Sequence, residues 1–179
     1  MIKFLHVMLT VTAYVSLVLG CSNVSDSFCI EQDTDSTFVY CSHGRQGRVD
    51  LMRDSLYRIC HYVADSLVDV WAIRDSVYQF DCGDLDNDSV PEILVGVICS
   101  TRFRPELDKR LYIFKLYKGE LIRPLWLGSR VGLPLDDFRV ERDSVPHMVH
   151  TWEWKSDSTQ VEAIYRLLGF GLKFVTYLN

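Results

Sequence analysis

The chain has 179 residues, a length that predicts a single domain. Hydrophobic residues make up 48% of it, which is enough to build a core. The formal net charge of −5 is mild and acidic, and it argues against a nucleic-acid partner because such partners select strongly basic surfaces.

The N-terminal segment has the features of a secretory signal. Lys3 is the only charged residue before Cys21, and Phe4 to Leu19 form an apolar run. This run has about 16 residues, fewer than the roughly 20 of a comfortable membrane span. The segment therefore predicts a signal peptide over residues 1–20, with an uncleaved anchor as an alternative.

The residues around the predicted cleavage point are Val18-Leu19-Gly20-Cys21. They resemble the lipobox of bacterial lipoproteins, which implies lipid attachment to Cys21 and a membrane partner reached through that lipid. An ordinary signal peptide is the alternative. Ser22, rather than Asp, follows the cysteine and predicts retention at the outer membrane of the bacterial envelope.

Residues 21–48 are polar and predict a tether that ends where a β-rich domain of residues 49–179 begins. One short strand is expected within the tether, over Thr37–Tyr40. An oxidising compartment permits disulfides, and Cys29 with Cys41 is the expected pair because the two flank a polar segment. Three cysteines lie in apolar runs that are typical of buried thiols: Cys60, Cys82 and Cys99.

Asp-Ser pairs at 54–55, 65–66 and 75–76 mark turns between short apolar runs. Such spacing favours an antiparallel meander, and nothing after residue 64 indicates a long helix. The sequence thus predicts an all-β fold of about ten short strands in two or more packed sheets. A short helix over 49–63 is the alternative, because Met52, Leu56 and Ile59 also fit a helical period.

Carboxylates are densest between Asp81 and Val97, where Ile93–Cys99 has the continuous apolar character of a strand buried on both faces. Calcium takes about six to eight oxygen ligands. The expected ligands are side-chain oxygens and one backbone carbonyl, from Asp84, Asp86, Asp88, Val90 (the carbonyl) and Glu92. An acidic turn without metal, held by its own hydrogen bonds, is the alternative.

The stretch Gly83–Gly96 resembles the FG-GAP or integrin-type β-propeller repeat, whose loop reads D-x-D-x-D-G-x-x-D and leads into an apolar strand. The resemblance implies a blade-like β-meander with a structural calcium ion. Ser89 replaces the usual glycine, and Glu92 replaces the final aspartate. A blade takes roughly 40–50 residues and closure needs at least about four blades, so this chain is too short for a closed propeller.

A second candidate surface is basic, and anions or sugars are its expected ligands because arginine matches carboxylate and phosphate groups. Its residues are Arg102, Arg104, Arg110, Arg123, Trp126 and Arg130. Their alternative role is as rim arginines and a core aromatic residue. His147 and His150 are expected to be structural, because strand positions three apart face opposite sides.

The sequence favours a non-catalytic binding or adhesion module at the cell envelope, with an envelope protein, a glycan or a second copy of the chain as partner. No nucleophile motif or dinucleotide-binding glycine pattern is present. Two alternatives stay open. One is a hydrolase of an envelope polymer, with the basic surface as substrate site. The other is a structural part of an envelope assembly that uses an exposed strand edge.

Overall fold

The computed structural model describes residues 28–102, 104–128, 130–156 and 158–178. Within these ranges the chain forms thirteen strands and no helix, so the all-β prediction is confirmed. Accordingly, the described residues contain no helix long and apolar enough to cross a membrane. The predicted signal peptide and Cys21 lie outside the described residues.

The strands form three open antiparallel meanders, in which each strand pairs with its sequence neighbour. Sheet A contains β1 (Cys29–Thr34), β2 (Thr37–Ser42), β3 (Arg45–Arg53), β4 (Tyr57–Val63) and β5 (Ser66–Ile73). Sheet B contains β6 (Ser76–Gly83), β7 (Glu92–Thr101), β8 (Arg104–Tyr117) and β9 (Leu121–Leu127). Sheet C contains β10 (Leu135–Glu141), β11 (Met148–Ser156), β12 (Thr159–Leu168) and β13 (Gly171–Leu178).

Sheet B is the central layer, and alternate residues of its strands face opposite sides. In β7, Ile93 and Val95 enter the core shared with sheet A, whereas Leu94 enters the core shared with sheet C. In β8, Phe114 faces sheet A and Ile113 faces sheet C. The prediction that Ile93–Cys99 is buried on both faces is therefore confirmed, apart from Ile98, which is exposed.

The alternative of a helix over 49–63 is wrong, because this segment forms the end of β3, a turn at Asp54-Ser55, and β4. A helix would place Met52, Leu56 and Ile59 on one buried face. Met52 and Leu56 are instead 52% and 42% exposed, and Ile59 is fully buried. The turn-forming Asp-Ser pair thus outweighs the helical spacing of the apolar residues.

The predicted boundary between a tether and a domain at residue 48 is also wrong, because residues 29–48 belong to sheet A. In β2, Phe38 and Tyr40 are buried while their neighbours face outward. The segment is polar in composition because only one face of these strands is covered, and composition alone does not separate such a strand from a tether. Likewise, β8 begins at Arg104 and so includes the polar residues 104–109.

The cysteines fit the sequence pattern. Cys60, Cys82 and Cys99 are buried within strands and form no disulfide. Cys29 in β1 lies directly opposite Cys41 in β2 in the antiparallel register. The predicted disulfide therefore connects neighbouring strands, and it stays a prediction.

His61 in β4 links sheet A to the β8–β9 turn of sheet B. Its side chain is fully buried, with Nδ1 2.7 Å from the Glu120 carbonyl and Nε2 2.7 Å from the Tyr40 hydroxyl. A neutral imidazole satisfies both contacts, because Nδ1–H donates to the carbonyl and Nε2 accepts from the hydroxyl. Burial lowers the pKa of His61, outweighing the opposing effects of the Glu120 carbonyl and Asp69.

This pKa shift predicts a loss of stability at acidic pH. The unfolded chain takes up a proton on His61 near the ordinary pKa of 6.5, whereas the folded protein does so only at lower pH. The free energy of unfolding should therefore fall as the pH drops below about 6.5. Urea unfolding at pH 7.5 and 5.5 measures the effect, and His61→Gln, which does not titrate, should lose less stability between these pH values. Equal losses in both proteins would contradict the assignment.

Candidate metal centre

The acidic loop, residues 84–91, joins β6 to β7 and folds around the carboxylate of Asp84. The two oxygens of Asp84 accept the N–H groups of Asp88 at 3.1 Å and Ser89 at 2.9 Å. Asn87 and Ser89 have positive φ angles of 62° and 65°. The left-handed conformation that the loop pattern requires is therefore present at Ser89, although a non-glycine residue there costs about 1 kcal/mol.

Three aspartates converge in this loop. One carboxylate oxygen from each of Asp84, Asp86 and Asp88 lies within 4.8 Å of the others. This is the group of potential metal ligands found among the described residues, and it matches three of the five predicted ligands. Oxygen donors from carboxylates at such spacing suit a hard cation such as calcium.

Glu92 is the first residue of β7 and is fully buried. Its Oε2 accepts the Leu85 N–H at 2.8 Å, but its Oε1 has no hydrogen-bond donor within the described part of the chain. Burial, together with nearby Asp86, raises the pKa of Glu92 to about 8. A buried carboxylate with an unpartnered oxygen fits a cation site, because a cation would compensate the cost of burying the charge.

Val90, the predicted carbonyl ligand, lies between these groups. Its N–H donates to Asp88 at 3.0 Å, and its side chain packs against the core between sheets A and B. Ligation by its carbonyl stays a prediction.

Sequence reasoning missed Lys115, which lies directly opposite Glu92 in the pairing of β8 with β7. Its Nζ forms a short contact with Asp86, lies 2.8 Å from Asp88 Oδ2 and 3.6 Å from Glu92 Oε1. Partial burial lowers the pKa of Lys115, but hydrogen bonds to Asp86 and Asp88 outweigh it and raise the pKa overall. The signal that could have found Lys115 is the register of the β7–β8 hairpin, which pairs residues far apart in the sequence.

The connection between β10 and β11, residues 142–147, contacts the acidic loop and the end of β6. The His147 N–H donates to the Asp84 carbonyl at 2.9 Å, and the Asp84 N–H donates to His147 Nδ1 at 3.0 Å. Arg142 pairs with Asp81 at the end of β6. These contacts fix the backbone that carries the first predicted ligand.

His147 and His150 have separate partners, since His150 Nδ1 lies 2.8 Å from Glu162 Oε1 on β12. Both histidines thus take part in contacts between or within sheets.

The residues of the predicted basic surface have different environments, although Arg110 and Arg130 line the same small cavity. Arg110 is buried and donates to the Gly128 carbonyl at 3.1 Å, and Trp126 packs against the core between sheets B and C. Arg123 pairs with Asp69 of sheet A at 3.3 Å. Arg102 and Arg130 are exposed, and Arg104 begins β8.

A cleft of about 580 Å³ adjoins the acidic loop. It lies between the β2–β3 turn of sheet A and the β8–β9 turn of sheet B. Asp88 and Lys115 belong to both the acidic loop region and the cleft wall. Other charged and polar residues of the wall are His43, Arg45, Gln46, Lys118 and Glu120.

Comparison of the chain with protein-family models, curated proteins and solved structures gives no significant match. The resemblance to the integrin-type repeat therefore rests on the loop residues alone. Calcium binding remains a hypothesis supported by the convergence of Asp84, Asp86 and Asp88 and by the unpartnered oxygen of Glu92.

Proposed function

We propose that the chain is a non-catalytic lipoprotein of the bacterial cell envelope, built as a binding or adhesion module whose acidic loop holds a structural calcium ion. The observation that carries the calcium assignment is the buried Oε1 of Glu92, which accepts no hydrogen bond among the described residues and has Lys115 Nζ at 3.6 Å, together with the three converging aspartates. In this role Asp84, Asp86, Asp88 and Glu92 supply carboxylate oxygens and Val90 supplies its carbonyl. The ion neutralises charges that would otherwise repel one another.

The lipid anchor is proposed from residues 1–21, and the position of β1 limits how far the module can lie from the lipidated cysteine. Seven residues, 22–28, separate Cys21 from β1. A fully extended chain of that length spans about 25 Å. The module would therefore be held close to the membrane surface, where short-range partners are an envelope protein or the glycan next to the membrane.

The cleft beside the acidic loop is the proposed contact surface, because charged groups of both signs and two tyrosines, Tyr40 and Tyr117, line it. A hydrolase acting on an envelope polymer is a second candidate function, since Asp88, Glu120 and Arg45 line the same cleft. Glu120→Gln distinguishes the two functions. If the protein is a hydrolase, the variant should still bind an envelope polysaccharide but no longer release product from it. If it is a binding module, neither the unmodified protein nor the variant releases product.

Calcium is expected to raise the melting temperature of the full-length protein in detergent. At a free calcium concentration 100-fold above the dissociation constant, binding to the folded state adds about 2.7 kcal/mol. For a domain of this size, that corresponds to a shift of roughly 5–11 °C relative to chelator. Thermal melting followed by circular dichroism measures the shift.

The matched control is Asp86→Asn, which removes one exposed carboxylate from the cluster and should reduce the calcium-dependent shift. Magnesium should stabilise less, because it demands a tighter octahedral geometry. An identical melting temperature in calcium and in chelator would overturn the calcium assignment.

A further inference from the structure

Lys115 is positioned as a cation inside the proposed calcium site. Its backbone is fixed in β8 opposite Glu92, so the side chain lies beside the acidic loop. Nζ contacts Asp86 and Asp88 and approaches Glu92 Oε1 to 3.6 Å. One ammonium group thus lies among three of the carboxylates that a calcium ion would need.

The ammonium group does not fully satisfy this environment. Glu92 is completely buried and its Oε1 accepts no hydrogen bond within the described residues. A single ammonium group lies among the carboxylates of Asp86, Asp88 and Glu92, and the carboxylate of Asp84 converges with the first two. The site would accommodate more positive charge than Lys115 supplies, but a divalent ion and the ammonium group would repel each other if both lay among these carboxylates.

We propose that Lys115 and a calcium ion compete for the acidic loop, so that calcium binding displaces the Lys115 ammonium group from Asp86 and Asp88 into the adjoining cleft. This inference rests on the proposed calcium site and describes how calcium binding there is regulated. Lys115 keeps the loop folded when calcium is scarce, and it lowers the apparent calcium affinity because only the displaced state can bind the ion.

The cleft can receive the displaced side chain without a change in the backbone. Lys115 already lines the cleft wall, and its side chain is 29% exposed. Lysine has a flexible four-carbon stem, so the ammonium group can move while the Cα stays in β8. Calcium uptake would therefore transfer a positive charge from the loop to a cleft that Arg45 and Lys118 also line. Anionic groups on a partner would then be favoured there.

Calorimetric titration of the full-length protein in detergent with calcium chloride tests the competition. Lys115→Gln removes the competing charge and should bind calcium about tenfold more tightly than the unmodified protein. In chelator the variant should be the less stable protein. Lys115→Gln should unfold at a lower temperature than the unmodified protein, because its carboxylates lose their cation. Its gain in melting temperature on adding calcium should be the larger of the two.

Lys118→Gln is the matched control, because Lys118 lines the same cleft while its ammonium group lies over the Tyr117 ring rather than in the acidic loop. It should leave calcium affinity unchanged. Unchanged or weaker binding by Lys115→Gln, with binding intact in the unmodified protein, would overturn the competition alone. Absence of binding in both proteins would overturn the calcium site itself, and the inference with it.

Discussion

Replacing Asp81 by alanine is expected to lower the free energy of unfolding by about 2–3 kcal/mol or more, because buried donors left without a partner cost about 1–3 kcal/mol each. Asp81 is 8% exposed and pairs with Arg142, the residue that follows β10 of sheet C. The Arg142 side chain is 29% exposed. Its carboxylate also accepts the N–H groups of Val140 at 2.6 Å and Cys82 at 2.8 Å. Alanine would leave the guanidinium group and both N–H groups without this acceptor. Urea unfolding measures the loss.

Asp136→Ala is the matched control for this change. Asp136 pairs with Lys109 at 2.9 Å, but both side chains are about one-third exposed, and such pairs contribute about 0–1 kcal/mol. A second variant, Asp81→Ala with Arg142→Met, should recover part of the loss because it also removes the unpaired guanidinium group. A loss for Asp81→Ala no greater than that for Asp136→Ala would show that this ion pair does not hold sheets B and C together.

Glu153→Ala is expected to destabilise the protein by about 3 kcal/mol or more. Glu153 is fully buried in β11 and accepts three hydrogen bonds of 2.7 Å, from the hydroxyls of Thr151 and Tyr165 and from the Leu133 N–H. Each buried donor left without a partner costs about 1–3 kcal/mol. The segment before β10 is expected to loosen as well, because Leu133 belongs to it.

The control for Glu153 is Glu162→Ala, on the neighbouring strand. Glu162 is 25% exposed and one side-chain hydrogen bond is at stake, with His150 Nδ1 at 2.8 Å, so its removal should cost about 1 kcal/mol, less than that of Glu153. Urea unfolding of the two variants, side by side, separates loss of a buried acceptor from loss of a carboxylate in general. Comparable stabilities would contradict the role assigned to Glu153.

Much of the fold could be predicted because short local sequence patterns indicate its turns and strands. The Asp-Ser pairs separate strands in sheet A and before β6, and the run Ile93–Cys99 marks the central sheet. The error over residues 29–48 has a physical cause, since Phe38 packs on Phe80 of sheet B and Tyr40 contacts His61 of β4, both far along the chain. Burial supplied by a distant sheet leaves little trace in local composition.

In the candidate metal centre, the residues close in sequence could be predicted and the distant ones could not. Asp84, Asp86 and Asp88 are close in sequence, so their convergence follows from the loop pattern. Lys115 is 23 residues beyond Glu92, and only the register of two long strands brings the two together. Asp81 and Arg142 are farther apart still, and no local pattern links them.

The topology has a consequence for how the molecule can be assembled. Each sheet is made of consecutive strands, so the described chain passes from one sheet to the next only twice, between β5 and β6 and between β9 and β10. Strand pairing is therefore confined to each contiguous third of the chain. The thirds are joined by core packing, by side-chain contacts such as Asp81–Arg142 and by the hydrogen bond from the His147 N–H to the Asp84 carbonyl. Each sheet can form its hydrogen bonds by short loop closures before the sheets dock, a route that favours rapid folding. A gene segment that encodes a whole sheet could be added at either end without changing the existing strand pairings.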